Sequence, residues 1–484
     1  MNTNISQLDP TIVWRNFHLL TQIPRPSKHE EKVRKFLVDW AAQHFVQCKV
    51  DETGNIIFSK PASRGYEHHK GIILQAHCDM VPQKNSDKEH NFETDPIEAY
   101  IDTEWVTANG TTLGADNGMG VAAIMAVFET KDMEHPALEA LITIDEETGM
   151  TGAFGLKKGE LKGSILLNLD SEEEGELCIG CAGGLDAAIT LPYRMAAAPA
   201  EHTAFKVTVK GLKGGHSGVD IHLGRGNANK IITRLAAYLM QKSKAQICSI
   251  NGGNMRNAIP REAEIVIAVP NVKTEKLQSH IAKFTKVVKA ELSVADPDFT
   301  VEFTPATMPA EVIVKSFANK IIRLLYAIPN GVIRMSDTMP MVETSTNLAI
   351  VKTENGTLSV SCLLRSSVDS AKDELGQTMV IISKLAGGKC ELSGAYPGWK
   401  PNVNSPVLKV MKDVYTNLFG YEPTVGAIHA GLECGLFAGI YKNWDMISFG
   451  PTIMYPHSPD EKVNIATVDK FWRYLINILK NSPK

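Results

Sequence analysis

Short apolar runs bounded by polar or glycine residues dominate the first part of the chain: Ile56-Ile57-Phe58, Gly71 to Ala76, Ala140 to Ile144 and Ser164 to Asn168. Their length and composition predict strands. Between the second and third lies a helical stretch, Gly118 to Thr130. Ahead of them, Ser27 to His44 carries apolar residues at helical spacing, with Ser27 as N-cap and Glu30 three residues later. Strands alternating with helices predict an α/β layer built on a largely parallel sheet.

The pattern changes after Gly183-Gly184. Residues 204–210 (AFKVTVK) alternate apolar and polar, as a half-exposed strand does. A helix over 227–242, strands near 246–250 and 262–269, a helix over 273–291 and a strand over 299–304 follow. A similar series runs from about 311 to 395, with a hairpin turned by Glu354-Asn355-Gly356. This is an α+β pattern with two related halves, though no residue-level repeat accompanies it. From Pro397 the α/β character returns, with a helix at 405–419, a strand at 445–449 and a helix at 466–480. One α/β domain interrupted by a second is the simplest architecture.

Composition narrows the classes. The 484 residues suit two or three domains, and the 44% hydrophobic and 21% charged fractions are those of an ordinary globular protein. A formal net charge of −4 gives no general attraction to nucleic acid or to an anionic membrane. No basic segment with an apolar core opens the chain, and no apolar run reaches the roughly 18 residues that span a bilayer. Eight cysteines spread over this length make no disulfide framework. A soluble, cytoplasmic protein is expected.

Ligand-type residues stand at the ends of the apolar runs, where open α/β sheets form their sites. Ile72 to Ala76 leads into His77-Cys78-Asp79, Leu141 to Ile144 into Asp145-Glu146-Glu147, and Ile165 to Leu169 into Asp170. Gly114-Ala115-Asp116-Asn117-Gly118 is a glycine-bounded turn ahead of a helix, and Gly450-Pro451 leads to His457. On a strand, positions i and i+2 share a face, so His77 and Asp79 project together, as a metal-bound imidazole steadied by a carboxylate would. Glu146 and Glu147, adjacent on a strand end, point apart, so one can bind metal while the other faces water. His77, His457, Asp116, Glu147 and Asp170 are the right mixture for two zinc ions if one carboxylate bridges. Three carboxylates and one hydroxide would balance the two dications. Taken singly, each residue has an ordinary role as structural histidine, solvated turn or turn former. Their joint placement carries the reading.

Other motifs carry less. Cys178 and Cys181 have zinc-knuckle spacing but no second pair nearby, and read as structural thiols. The run from Lys213 to Gly218 fits neither a phosphate loop nor a dinucleotide turn, and no Gly-x-Ser-x-Gly elbow is present.

In order, His77-Cys-Asp79, Gly114-Ala-Asp116-Asn-Gly, Asp145-Glu-Glu-Thr-Gly149, Asn168-Leu-Asp170-Ser-Glu and the late His457 resemble the metal-site motifs of the M20 metallopeptidases. Lys213-Gly-Gly-His216-Ser-Gly218, Gly224-Arg-Gly-Asn-Ala228 and His429-Ala-Gly-Leu-Glu-Cys-Gly435 look like the aminoacyl-histidine dipeptidase branch, and the likeness runs nearly end to end. Cys78 stands where that family has an apolar residue.

The resemblance implies a zinc-peptidase-like catalytic domain (1–185 and 397–484) interrupted by an α+β lid domain (186–396). It implies two zinc ions per subunit, replaceable by cobalt or manganese, with Asp116 bridging, His77 and Asp170 on one ion, and Glu147 and His457 on the other. Glu146 would be general base and Asp79 the residue orienting His77. The implied reaction is attack of a metal-held hydroxide on dipeptides with a free amino terminus, Xaa-His among them. His216 is the candidate oxyanion donor. Arg365 (equally a structural salt bridge) and Asn254 are candidates for the substrate carboxylate, with Gly431 also in the substrate site. A homodimer is a family expectation. The competing readings are an N-acyl-amino-acid deacylase on the same metal site and a non-catalytic peptide-binding protein.

Overall fold

The computed structural model describes residues 4–484. Two compact units divide the chain. One comprises residues up to Gly180, Trp399–Ala427 and Leu432–Lys484; the other comprises Cys181–Gly398 and Ile428–Gly431. The expected interval 186–396 does not include the short piece 428–431, which groups with the second unit.

Four strands form the centre of the first unit: β1 (Ile72–His77), β2 (Leu138–Thr143), β3 (Ile165–Asn168) and β4 (Asp445–Ser448). Their order is β2-β1-β3-β4 and every neighbouring pair is parallel. β1 and β3 are buried along their whole length, which is why they read as continuous apolar runs rather than alternating ones. The margins are antiparallel. Ile56–Lys60 and then Gln47–Val50 extend the sheet beyond β2, and Glu176–Cys181 pairs antiparallel with β4 before Thr424–Ile428 ends that side. The expected parallel sheet is thus the middle of a mixed one.

The helix α1 (Ala115–Glu129) is apolar all round and buried from Ala115 to Phe128. Helix Pro406–Phe419 begins as its sequence dictates: Ser405 Oγ accepts the Leu408 N–H at 2.9 Å and proline takes the first turn. Ser27 does not cap a helix. The helix runs Glu31–Gln43, Lys28 is in the left-handed region (φ 71°), and Ser27 Oγ donates to Asp79 Oδ2 at 2.8 Å. A buried carboxylate that needs donors has claimed the hydroxyl.

A nine-stranded antiparallel sheet forms the centre of the second unit. Its order is 300–306, 202–210, 263–270, 246–252, 342–354, 357–366, 183–192, 389–396, with 331–335 paired to 342–354. The order reads last-first-third-second and then second-third-first-last, so two strand-helix-strand-strand-helix-strand halves meet back to back. The second half takes its first strand from 183–192, ahead of the first half, where the sequence pattern starts it near 311. The helices 228–242, 274–291, 315–327 and 369–386 bury their apolar faces in one core with this sheet. The Glu354-Asn355-Gly356 hairpin is present, with Asn355 and Gly356 both at positive φ as a tight I′ turn requires. Among the described residues no helix is long and apolar enough to cross a membrane.

The halves join where Asn251 and Gly252 pair with Lys352 and Val351. The next residue, Gly253, has φ +71°, and a Cβ there would lie 1.8 Å from the Ala349 carbonyl oxygen. Gly253→Ala is therefore expected to cost on the order of 3 kcal/mol from backbone strain and overpacking. Urea unfolding of the variant against the parent measures it, and an unchanged midpoint would show that the junction tolerates a side chain.

Candidate metal centre

Parallel pairing brings the carboxyl ends of β1, β2 and β3 level, since His77 pairs with Thr143 and Gln75 with both Leu141 and Asn168. Whatever follows those strands emerges at one edge. His77 Nε2 lies 3.1 Å from Asp116 Oδ1 and 3.3 Å from Asp170 Oδ1. His457 Nε2 lies 3.1 Å from Asp116 Oδ2 and 2.9 Å from Glu147 Oε2. Asp116 therefore presents one oxygen to each imidazole. The five residues converge as two sets sharing Asp116, with all ligand-type atoms in each set within 4.8 Å of one another. Glu146 joins His77 and Glu147 in a third such set.

Local backbone accounts for the aim of each group. Gly114 occupies the left-handed region (φ 72°), and Asp116 and Asn117 leave helical geometry at the head of α1, so the Asp116 carboxylate faces the site. Glu146 and Glu147 do not sit on a strand end: β2 stops at Thr143, and they open the helical turn α2 (Glu146–Gly149). Adjacent helical positions diverge by about 100°, so the two still point apart. Asp79 anchors that turn, accepting the N–H of Glu146 at 3.0 Å and of Glu147 at 3.3 Å, while Asp79 Oδ1 stands 3.3 Å from His77 Nδ1.

Three supporting residues escaped the sequence reading. Glu461 accepts four consecutive backbone N–H groups, from Leu113, Gly114, Ala115 and Asp116, at 2.7–3.2 Å, and so holds the turn bearing Asp116. Arg25, buried between two prolines in sequence, donates to the carbonyls of Cys78, Asp79 and Gly114. Glu433, also buried, accepts Gln75 Nε2 at 2.6 Å and Thr143 Oγ1 at 2.8 Å. Glu461 stands four residues beyond His457 and Glu433 lies inside the run His429 to Gly435, whereas Arg25 had no such signal. Cys178 and Cys181 are buried on the strand Glu176–Cys181, and the Cys178 thiol donates to the Gly180 carbonyl at 3.3 Å.

The electrostatics show what this set lacks. Burial pushes Asp170 up to about 6 despite His77, and Glu433 up to about 8. Burial also carries Glu146 well above the usual carboxylate range, with Asp170, Glu433 and Glu147 adding to it. Burial opposes the charged forms of His77 and Asp116 as well, yet their mutual attraction prevails: His77 is held up by Asp170, Asp116 and Asp79, and Asp116 is held down by the two histidines. The bonds to Asp116 and Glu147 raise His457 to about 11. Acids drawn toward protonation beside strongly protonated imidazoles describe a pocket short of positive charge.

The donor set fits metal. Glu147 Oε1 and Asp170 Oδ1 are buried without hydrogen-bond partners. The 2.9–3.3 Å spacings between imidazole nitrogen and carboxylate oxygen match neighbouring ligands on one tetrahedral zinc, about 3.3 Å apart for bonds of ~2.0–2.1 Å. Nitrogen and oxygen donors in this proportion suit zinc, and also cobalt or manganese.

The second unit gathers a different set. His216 Nδ1 accepts the N–H of Gly218 at 3.2 Å and of Val219 at 3.0 Å, which leaves its proton on Nε2. Burial, with Arg365 adding, keeps this ring neutral. Its Nε2 faces Arg365 Nη2 at 3.4 Å, and Arg365 Nη1 donates to Tyr396 Oη at 3.3 Å. Among the described residues no carboxylate stands within ion-pair distance of Arg365, and its buried Nε has no partner. The salt-bridge alternative for Arg365 is thereby removed. His429 Nε2 lies 2.7 Å from Ser345 Oγ. A Cβ on Gly431 would sit 3.1 Å from the Tyr396 ring and hydroxyl. Asn254 is exposed on the loop after 246–252, beside a cavity of about 540 Å³ lined also by Met255, Ile259 and Arg261.

Comparison with known proteins bears on this arrangement. A family model described as a peptidase dimerisation domain matches residues 207–296. The chain is 46% identical over 482 residues to the cytosol non-specific dipeptidase of Escherichia coli (strain K12), covering 99% of each sequence. The crystal structure of aminoacylhistidine dipeptidase from Vibrio alginolyticus superposes with a TM-score of 0.94 at 48% identity, over 99% of this chain and 98% of that one. An aminopeptidase from Bacillus cereus shares the fold alone, with a TM-score of 0.57 at 16% identity over 98% of this chain and 99% of that one.

His429 supplies a pH signature. Burial, with Arg365, His216 and His222 adding, depresses its pKa to about 3 from the ordinary 6.5. The unfolded chain therefore binds a proton that the folded one does not. The stability present above pH 6.5 is lost as pH falls toward 3, at about 1.4 kcal/mol per unit. Removing the titrating ring in His429→Gln should flatten the stability-pH curve of the parent by about that slope over this window. Parallel curves for the two proteins would contradict it.

Proposed function

The chain belongs to the M20 metallopeptidase family, in its aminoacyl-histidine dipeptidase branch, and we propose that it hydrolyses dipeptides bearing a free amino terminus at a centre of two zinc ions. The observation that carries this reading is Asp116, one oxygen 3.1 Å from each of two histidine nitrogens that each face a further carboxylate. His77 and Asp170 would hold one ion, Glu147 and His457 the other, with Asp116 between them. When bound, the zinc ions supply Lewis-acid polarisation of the scissile carbonyl and lower the pKa of water toward ~7.

The chain's own groups do the rest. Glu146 is the general base: it takes a proton from the attacking water and passes it to the leaving amine, and its burial suits it to carrying that proton. Asp79 orients His77 through Nδ1 and fixes the turn that presents Glu146 and Glu147. His216, neutral with its proton on Nε2, is the donor to the tetrahedral oxyanion. Arg365, without an internal acid, receives the substrate carboxylate through its fork, with Asn254 and Gly431 completing the substrate site. The Escherichia coli relative is named as a cytosolic dipeptidase, and the dimerisation-domain match covers part of the second unit. We assign the protein to the cytoplasm as a homodimer on that support.

Glu146→Gln, assayed on a Xaa-His dipeptide, should lose turnover by about 10²–10⁴-fold with zinc content unchanged. Retained turnover would remove Glu146 as base. Chelation of the parent should abolish hydrolysis and added zinc should restore it. N-acetylating the dipeptide should lower kcat/KM sharply, and equal rates on free and acetylated substrates would favour a deacylase.

A further inference from the structure

Beneath the ligands lies a layer of polar side chains that the assigned chemistry does not use. Gln75 precedes His77 by two residues, Asn168 precedes Asp170 by two, and Thr143 precedes Asp145 by two. Ser448 pairs with Asn168 on β4. Gln75, Thr143, Asn168 and Ser448 are all fully buried. Ser448 Oγ donates to Asn168 Oδ1, Asn168 Nδ2 donates to Gln75 Oε1, and Gln75 Nε2 donates to Glu433 Oε2 at 2.6 Å. Thr143 Oγ1 reaches the same Glu433 oxygen from the other side at 2.8 Å. Ser171, the neighbour of Asp170, contacts Ser448 at 2.8 Å.

We propose that Glu433 is a positioning residue of the metal centre, terminating a buried hydrogen-bond chain that fixes the carboxyl ends of all four parallel strands one residue pair below the ligands. Every link in the chain donates in the same sense, toward Glu433, so the chain is polarised and ends on an acid. Glu433 Oε2 collects two donors, whereas Oε1 is buried with none. Among its charged neighbours the attractive one is His77, and the acids that oppose it include Asp170. Glu433 is therefore coupled to the ligand set, and its ionised form is favoured when cations occupy that set. An apolar layer would avoid the cost of burying amides, hydroxyls and a carboxylate. A satisfied polar chain instead fixes one arrangement of the strand ends. Periodicity shows none of this, because Glu433 lies far along the chain from Gln75 and Thr143.

The inference rests on the reading that the site holds zinc. Metal-free parent, Glu433→Gln and Thr143→Val are titrated with zinc in competition with a chromophoric chelator, and the unfolding temperature of each metal-free protein is recorded. Glu433→Gln keeps shape and an acceptor but cannot ionise. It should weaken zinc binding about 10–100-fold, the range seen when outer partners of metal ligands are removed, while the metal-free protein unfolds no earlier than the parent. Thr143→Val should weaken zinc binding to a smaller degree, and it decides the matter if Glu433→Gln does not fold. Parent-like zinc affinity in the folded variants would overturn the proposal, as would a fall confined to the unfolding temperature. A parent that itself fails to compete for zinc would instead sink the metallopeptidase reading.

Discussion

Asp116 offers one oxygen to His77 and the other to His457, and both imidazoles also face a further acid. This shared carboxylate fixes how the rest of the first unit must be built. A carboxylate so placed has to be aimed from a backbone that cannot drift, and the surroundings supply that twice over. Glu461 takes the four N–H groups of the turn, and the Arg25 guanidinium ties its Gly114 carbonyl to those of Cys78 and Asp79 after β1. Arg25 is buried completely, which lowers its pKa, and nearby Glu461, Asp79 and Asp116 counter that effect. Turn and strand end are thereby held to each other by charge-assisted bonds, stronger than neutral ones.

The sheet supplies the other half of the constraint. Four parallel strands end together: His77 closes β1, Asp170 stands two residues beyond β3 and Glu147 four beyond β2, so short segments bring them within a few ångströms. Strand order matters as much as direction: β1, bearing His77, lies between β2 and β3, which lead to the acids. Antiparallel margins leave this centre undisturbed, because none of the five converging residues comes from them.

Much of this was legible in the chain. Period-two spacing placed His77 with Asp79, glycines on either side marked the Asp116 turn, and apolar runs led to residues that converge in the structure. Two local errors share one cause. Ser27 reads as a cap and Glu146 as a strand end when neighbours in sequence alone are considered, yet both follow the needs of Asp79, which takes the Ser27 hydroxyl and the N–H groups of α2. The contacts of Arg25, Glu433 and Glu461 were illegible for a related reason. Their partners are mostly backbone groups or polar side chains remote in sequence, and such pairings leave no spacing to detect. In the second unit the halves were visible as repeated elements, but the strand 183–192 belongs by position in the sheet to the half that follows the other in sequence. Periodicity reports what a segment is and not which neighbour it pairs with.

The two units also differ in the sign of what they leave unmet. In the first, Asp170, Glu146, Glu147 and Glu433 are buried acids with too little positive charge around them, a deficit that cations answer. In the second, Arg365 is buried without an ion partner beside a neutral His216 whose Nε2 proton faces another donor, a deficit that an anion answers. Burial makes each deficit costly, since neither a carboxylate nor a guanidinium can spread its charge into water there. Each unit thus carries its own unmet charge, negative in the first and positive in the second, set by what its interior buries.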